Sequence, residues 1–269
     1  MQLLQRSGLM HKVRMAQGAR ISSQGEAEGE PRAVQGGVYK KDDGPNALGA
    51  GRMNFGFLIF PGLEELDLVG PWEMISFWSK HAAGPENCLM VAQSLAAVVC
   101  DKGMAINPHV AFSNCPPLDF LLVPGGQGTR REVDNPALVK FVADQAKHCR
   151  AVLSVCTGTF ILHRAGLLTN RKATTHWASL ERLRELGDVV VVEDRVVRDG
   201  RVWTSAGVSA GIDLALAFIE HMAGEKTAGR IQLGVEYYPS GRSYGMMHEL
   251  AQAPVYVKSW GMREESRRE

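Results

Sequence analysis

Ala151-Val152-Leu153-Ser154-Val155-Cys156-Thr157-Gly158-Thr159-Phe160-Ile161-Leu162 is the stretch on which the reading of this chain turns. A short apolar, β-branched run stops at a cysteine, Thr-Gly follows, and a segment of helical character continues to about Gly166. The pattern is that of a buried strand, a sharp turn carrying Cys156, and the first turn of a helix. A sulfur held there faces unpaired backbone N–H groups and the positive end of a helix dipole. Both favour the thiolate, which is the nucleophilic form. A free cysteine is more commonly just a small buried hydrophobe, and this stretch alone leaves the two readings open.

Upstream, Phe55-Gly56-Phe57-Leu58-Ile59-Phe60 reads as a buried strand ending at Pro61-Gly62, and a helix follows from Glu64 to Lys80, disturbed by Gly70-Pro71. Leu89 to Ala92 is a second strand, and Ala97-Val98-Val99 with Met104-Ala105-Ile106 reads as a hairpin turning at Asp101-Lys102-Gly103. Phe120 to Val123 is another apolar strand, closed by Pro124-Gly125-Gly126, and a helix from about Asn135 to His148 leads into the Cys156 strand. Downstream come a helix from Trp177 to Leu186, a strand at Val189 to Val192, and a hairpin of Arg195-Val196-Val197 and Val202-Trp203-Thr204 turning at Asp199-Gly200. Helices from about Ser209 to Gly224 and Lys226 to Val235 complete the pattern. Continuous apolar strands alternating with helices specify a mostly parallel sheet covered on both faces. Ligands in such sheets sit beyond the carboxyl ends of the strands, so Pro61-Gly62, Pro124-Gly125-Gly126 and Cys156 are expected to meet at one crevice.

The 269 residues suffice for one large or two small domains, and a formal charge of +1 gives no reason to expect nucleic acid or an anionic membrane as partner. No apolar run approaches the length of a bilayer span. The five cysteines are odd in number, widely spaced and without a C-x-x-C pair. That disfavours a disulfide framework or a zinc site and points to a reducing, cytoplasmic setting. Residues 1–52 are rich in Gly, Ser, Gln and charge and lack periodicity, so they are expected to form a disordered extension. Arg6, Lys12, Arg14 and Arg20 without an acid loosely resemble a transit peptide. Because Met53 opens directly onto the first strand, a simple upstream extension is preferred. The expected organisation is therefore an extension over 1–52, an α/β domain over 53–240 and a tail over 241–269.

Three features bear on chemistry. Gly125-Gly126 is either a tight turn or the place where backbone amides approach a reacting atom, with the Gly126 and Thr157 N–H groups forming an anion pocket. Asp67 lies in Leu66-Asp67-Leu68-Val69-Gly70-Pro71, an apolar setting that buries it. A buried carboxyl must be paired or must hold a proton. His176, in Ala173-Thr174-Thr175-His176-Trp177, has both a structural reading, near a helix start, and a site reading.

The order and spacing of Pro61-Gly62, Leu66-Asp67-Leu68-x-Gly70-Pro71, Pro124-Gly125-Gly126, Ser154-Val155-Cys156-Thr157-Gly158, Ala165-Gly166-Leu167-Leu168, Ala173-Thr174-Thr175-His176-Trp177, Arg195 to Gly200 and Ala206-Gly207-Val208-Ser209-Ala210-Gly211-Ile212-Asp213 resemble the ThiJ/PfpI superfamily. The resemblance covers roughly residues 54–240. It implies a single-domain, flavodoxin-like three-layer sandwich of the class I glutamine amidotransferase type, with a nucleophile elbow at Cys156. Within the superfamily the pattern is most similar to isonitrile hydratases, which add water to an isonitrile to give an N-substituted formamide.

Carried over by motif, Cys156 is the nucleophile, Asp67 the acid/base, and Thr157 the neighbour whose amide and hydroxyl face the site. Gly125, Gly126, His176 and Ser209 belong to the substrate pocket. The resemblance further implies a homodimer acting on a small molecule without metal or other cofactor. PfpI-type peptidases carry a histidine directly after the cysteine, and Thr157 stands there instead, which disfavours proteolysis. The same motifs also resemble the sensor domains of AraC-type regulators, so a ligand- or redox-sensing protein is the alternative. About 30 residues follow the last expected core helix, too few for a helix-turn-helix domain. Ala206 replaces a glycine frequent in the hydratases, and Glu64-Glu65 is unusually acidic.

Overall fold

Continuous apolar strands need cover on both faces, and the computed structural model, which describes residues 53–239 and 247–259, supplies it. The strands of the main sheet are β1 (Asn54–Leu58), β2 (Asn87–Ala92), β5 (Val110–Ala111), β6 (Phe120–Val123), β7 (Ala151–Val155), β10 (Val196–Asp199) and β11 (Val202–Ser205). Across the sheet they run in the order β10-β11-β7-β6-β1-β2-β5. Every pairing is parallel except β10 with β11. Helices α1 (Glu65–His81), α6 (Ala210–Ala223) and α7 (Glu225–Gly234) pack together on one face. On the other, α4 (Gly158–Arg164) packs with both α2 (Thr129–Glu132) and α3 (Pro136–Ala146).

The sequence patterns explain most boundaries. Asn135 caps α3 by accepting from the N–H groups of Ala137 and Leu138, with Pro136 in the first turn where no donor is missed. Phe218 of α6 sits in an aromatic nest, its ring centroid 5.2 Å from Phe120, 6.0 Å from Phe55, 5.8 Å from Trp203 and 6.4 Å from Trp78. All four contacts are edge-on, the geometry that aligns ring quadrupoles favourably. Pro71 does not break α1. It lies inside the helix and packs against Gly211 of α6, where a Cβ would come within 2.9 Å of its ring. Close α1–α6 packing thus compensates for the lost helix hydrogen bond.

Several elements differ from expectation. The 97–106 hairpin forms its own two-stranded sheet, β3 (Val98–Val99) with β4 (Ala105–Ile106), apart from the main one. The 189–192 strand is β9 (Val190–Val191), which pairs with the unanticipated β8 (Lys172–Ala173) in a second small sheet. The helix expected over Trp177 to Leu186 begins as a 3₁₀ turn, Trp177–Ser179, before α5 (Leu180–Arg184). Residues 1–52 lie outside the described residues. Of the tail, Val255 donates its N–H to Glu193 at 3.1 Å, and Pro254 is buried.

The topology sets the crevice. From β1 the chain moves outward to β2 and β5, then crosses back to β6 on the other side of β1. This reversal opens a gap at the carboxyl ends of β1 and β6. Register pairs Ser154 of β7 with Val123 of β6 and with Thr204 of β11. Cys156 therefore projects just past both neighbouring strand ends.

Candidate active site

Cys156 turns the chain from β7 into α4 with φ of 56°, in the left-handed region that a side chain adopts only when its surroundings hold it there. Its N–H donates to the carbonyls of Ser205 and Ala206, both at 3.2 Å. Cys156 is 6% exposed and opens into a cavity of about 250 Å³ lined by Gly126, Thr157, His176 and Val208, with Glu64, Asp101 and Arg130 also contributing. A larger hollow of about 390 Å³ lies at the ends of β1 and β2. No cysteine lines it, and its buried Glu132 is already bound by Arg131 and Asn135.

Asp67 is wholly buried on the first turns of α1. Its Oδ2 accepts from Gly125 N–H at 2.8 Å and its Oδ1 from Val208 N–H at 3.0 Å. Two rigid backbone donors therefore fix the carboxyl, which is also a direct hydrogen-bonding partner of the Cys156 thiol. Position 125 has to be glycine, because a Cβ there would lie 2.5 Å from Thr157 N and 2.8 Å from Asp67 Oδ2. Val208, the second donor, is itself left-handed at φ 55°. For a β-branched residue that conformation costs about 1–3 kcal/mol.

Electrostatically the pair retains protons. Burial, opposed by the Gly125 and Val208 N–H groups and reinforced by the Glu64 charge, pushes the Asp67 carboxyl up to about 7. Burial and then the Asp67 charge push the Cys156 thiol up to about 12, while the Thr157 N–H and hydroxyl pull it the other way. The helix-terminus argument for a resting thiolate is thus outweighed by desolvation. Both shifts favour the protonated forms, and two groups this close titrate as a pair.

The anion pocket expected from the Gly126 and Thr157 amides takes another form. Gly126 N–H is taken by the Thr157 hydroxyl at 3.1 Å, and Thr157 N–H is aimed at the sulfur. Gly125 lies behind the site, holding Asp67. His176 lines the cavity and also caps the following 3₁₀ turn by accepting Ala178 N–H at 3.2 Å, so both readings of it apply. Burial lowers its pKa, against the Glu64 charge. Its ring rests on Gly207, where a Cβ would approach within 2.1 Å of Cδ2. Ser209 is not part of the lining. It follows Val208 into α6, and its hydroxyl accepts from Arg195 at 3.2 Å, beside the Arg195–Asp213 ion pair at 2.6 Å.

Two contributions lay beyond sequence reasoning. The turn between β3 and β4 brings Lys102 over Glu64 and Glu65: its ammonium pairs with Glu64, and its N–H donates to Glu65 at 2.7 Å. One of the two negative charges is thereby paired at the cavity edge. Half-buried Tyr256, from the C-terminal segment, has Arg195, Glu193 and Asp194 as its charged neighbours and lies within electrostatic reach of Cys156. No periodicity marks that segment, so no local signal announced it.

A mostly parallel α/β sheet with a cysteine elbow and a buried carboxyl defines the class, and the chain belongs to the DJ-1/PfpI family, whose pattern matches residues 54–221. It is similar to the isonitrile hydratase of Pseudomonas putida, with 40% identity over 189 residues, 70% of this chain and 80% of that protein. It is also similar to the HTH-type transcriptional regulator CdhR of Pseudomonas aeruginosa, 28% identical over 66% of this chain and 53% of the regulator. Among solved structures, a ThiJ/PfpI family protein from Pseudomonas syringae superposes with a TM-score of 0.68 at 32% identity, covering 83% of this chain and 92% of that one.

Proposed function

We propose that this protein is an isonitrile hydratase-like enzyme in which Cys156 and Asp67 share the chemistry. The observation that carries the reading is the buried Asp67 carboxyl, held by Gly125 and Val208 and in contact with the one cysteine that opens into the cavity. Hydration of an isonitrile requires a nucleophile and a proton delivered to the same carbon. The Cys156 sulfur attacks the terminal carbon as its proton passes to Asp67, and Asp67 returns that proton to the carbanion, leaving a thioimidate. Water then adds to the thioimidate carbon with Asp67 as base, and the proton taken from it passes on to the imine nitrogen; the adduct's hydroxyl proton is the one that goes to sulfur in the next step. Collapse of that adduct protonates the departing sulfur and releases the N-substituted formamide. A pair that shares one proton near neutrality, on the thiol at rest and on the carboxyl during attack, suits this sequence, since no step calls for a free thiolate at rest.

The sensing alternative draws support from the similarity to CdhR. Redox sensing needs a low-pKa, accessible thiolate, and the raised pKa and burial of Cys156 weigh against it. The same reading makes the protein a cytoplasmic homodimer acting on a small molecule without metal or organic cofactor. Incubating purified protein with cyclohexyl isonitrile and measuring the formamide by mass spectrometry tests it. Absence of formamide over several hours at micromolar enzyme refutes the hydratase reading.

A further inference from the structure

In the Thr174-Thr175-His176 run, Thr175 lines no part of the cavity. It is fully buried, and its hydroxyl donates to the Cys156 carbonyl at 2.8 Å. The Thr159 hydroxyl also lies near that carbonyl, at 3.2 Å, but it has a single proton and a closer acceptor, Thr174 O, at 2.8 Å. The Thr159 N–H reaches the Cys156 carbonyl only at 3.5 Å. Thr175 is therefore the short, well-placed donor to the carbonyl of the strained residue. Its own backbone is anchored next door, where Thr174 N–H donates to Thr204 Oγ1 of β11 at 2.9 Å.

We infer that Thr175 is a positioning residue: by bonding the Cys156 carbonyl it holds the elbow left-handed and keeps the sulfur against the Thr157 N–H and the Asp67 carboxyl. The physical reason is the cost of the alternative. Without that donor, a buried carbonyl in a strained turn lacks its best partner, and the turn gains by rotating toward ordinary φ. That rotation carries the sulfur off its two polar contacts. The inference rests on Cys156 being the reactive group and not on isonitrile chemistry, so it survives if the hydratase reading fails.

The test uses the full chain and iodoacetamide, with alkylation at Cys156 followed by peptide mass spectrometry well below the melting temperature. Thr175→Ser and Thr175→Ala both lack the methyl group and differ only in the hydroxyl. Thr175→Ala is expected to be alkylated at least tenfold more slowly per folded molecule, with Thr175→Ser within twofold of wild type. Thr175→Val, which keeps the shape, is expected to behave like the alanine variant, and the serine–alanine pair decides the matter if the valine protein does not fold. Equal rates for Thr175→Ser and Thr175→Ala, fast or slow, overturn the inference, whatever the melting temperatures show.

Discussion

Replacing Asp67 with asparagine turns the electrostatics of the site into a stability measurement. The carboxyl is raised from its ordinary value of 3.8 to about 7, with burial as the main cause. Between those values the folded protein holds a proton that the unfolded chain has released, so stability falls as pH rises through that window. At about 1.4 kcal/mol per pH unit, and allowing for partial titration at each end, the loss between pH 5 and pH 8 is about 3 kcal/mol. An asparagine side chain does not titrate, so this slope disappears from the Asp67→Asn protein.

Asparagine brings a cost of its own that is independent of pH. Gly125 and Val208 N–H both point at carboxyl oxygens, and an amide offers only one oxygen. One buried N–H then faces an NH₂ group, a penalty of about 1–3 kcal/mol. Urea unfolding of both proteins at pH 5, 6, 7 and 8 measures the difference. The expectation is a variant less stable by about 1–3 kcal/mol at pH 5 that gains on the wild type as pH rises, reaching parity to about 2 kcal/mol ahead at pH 8. A difference constant across pH would refute the claim that Asp67 holds a proton in the folded state. On the same preparation, turnover of an isonitrile is expected to fall by about 10²–10⁴-fold, the usual worth of a general acid or base.

Cys156→Ser is expected to abolish hydration while leaving the melting temperature within a few degrees, since the hydroxyl fits the same turn but is a far weaker nucleophile; measurable formamide from the serine protein would count against covalent catalysis. Iodoacetamide is expected to label Cys156 before Cys149, because burial raises both thiols to about 12 but only Cys156 opens into the cavity, while Cys149 is bonded to Leu118 O at 3.3 Å; peptide mapping checks the order. Labelling of Cys156 is expected to accelerate from pH 7 to pH 10 without reaching a plateau, and a plateau below pH 8 would show a thiolate already formed. Deleting residues 1–52 is expected to leave the melting temperature and turnover unchanged, and a loss of folded protein on truncation at Met53 would contradict that.

What could be read from the sequence follows the range of the forces involved. The strand ending at Cys156 announced itself because burial on both faces leaves a continuous apolar run, and Asp67 stood out because a carboxyl in an apolar helix has no cheap explanation. The role of Val208 was hidden, since a valine in αL carries no compositional mark and its N–H meets Asp67 across 141 residues of chain. Lys102 was visible as a turn residue, but its pairing with Glu64 depends on how the small β3–β4 sheet docks, which local pattern does not encode. The ionisation of Cys156 was left open for a related reason: a helix end is a local feature, whereas the burial that pushes the thiol up is supplied by the whole fold.

The contact between His176 and Gly207 means that one wall of the cavity has its thickness set by a residue outside its lining. The histidine can lie back only because nothing projects from position 207. Adding a single methyl group there would drive the imidazole forward into the 250 Å³ space while leaving every lining residue unaltered in identity. Comparing two such proteins by their lining residues alone would then rate their cavities as alike when one admits a smaller guest. The size of this cavity is therefore set partly in the layer behind its wall, and a survey of variants aimed at reshaping it has reason to begin there.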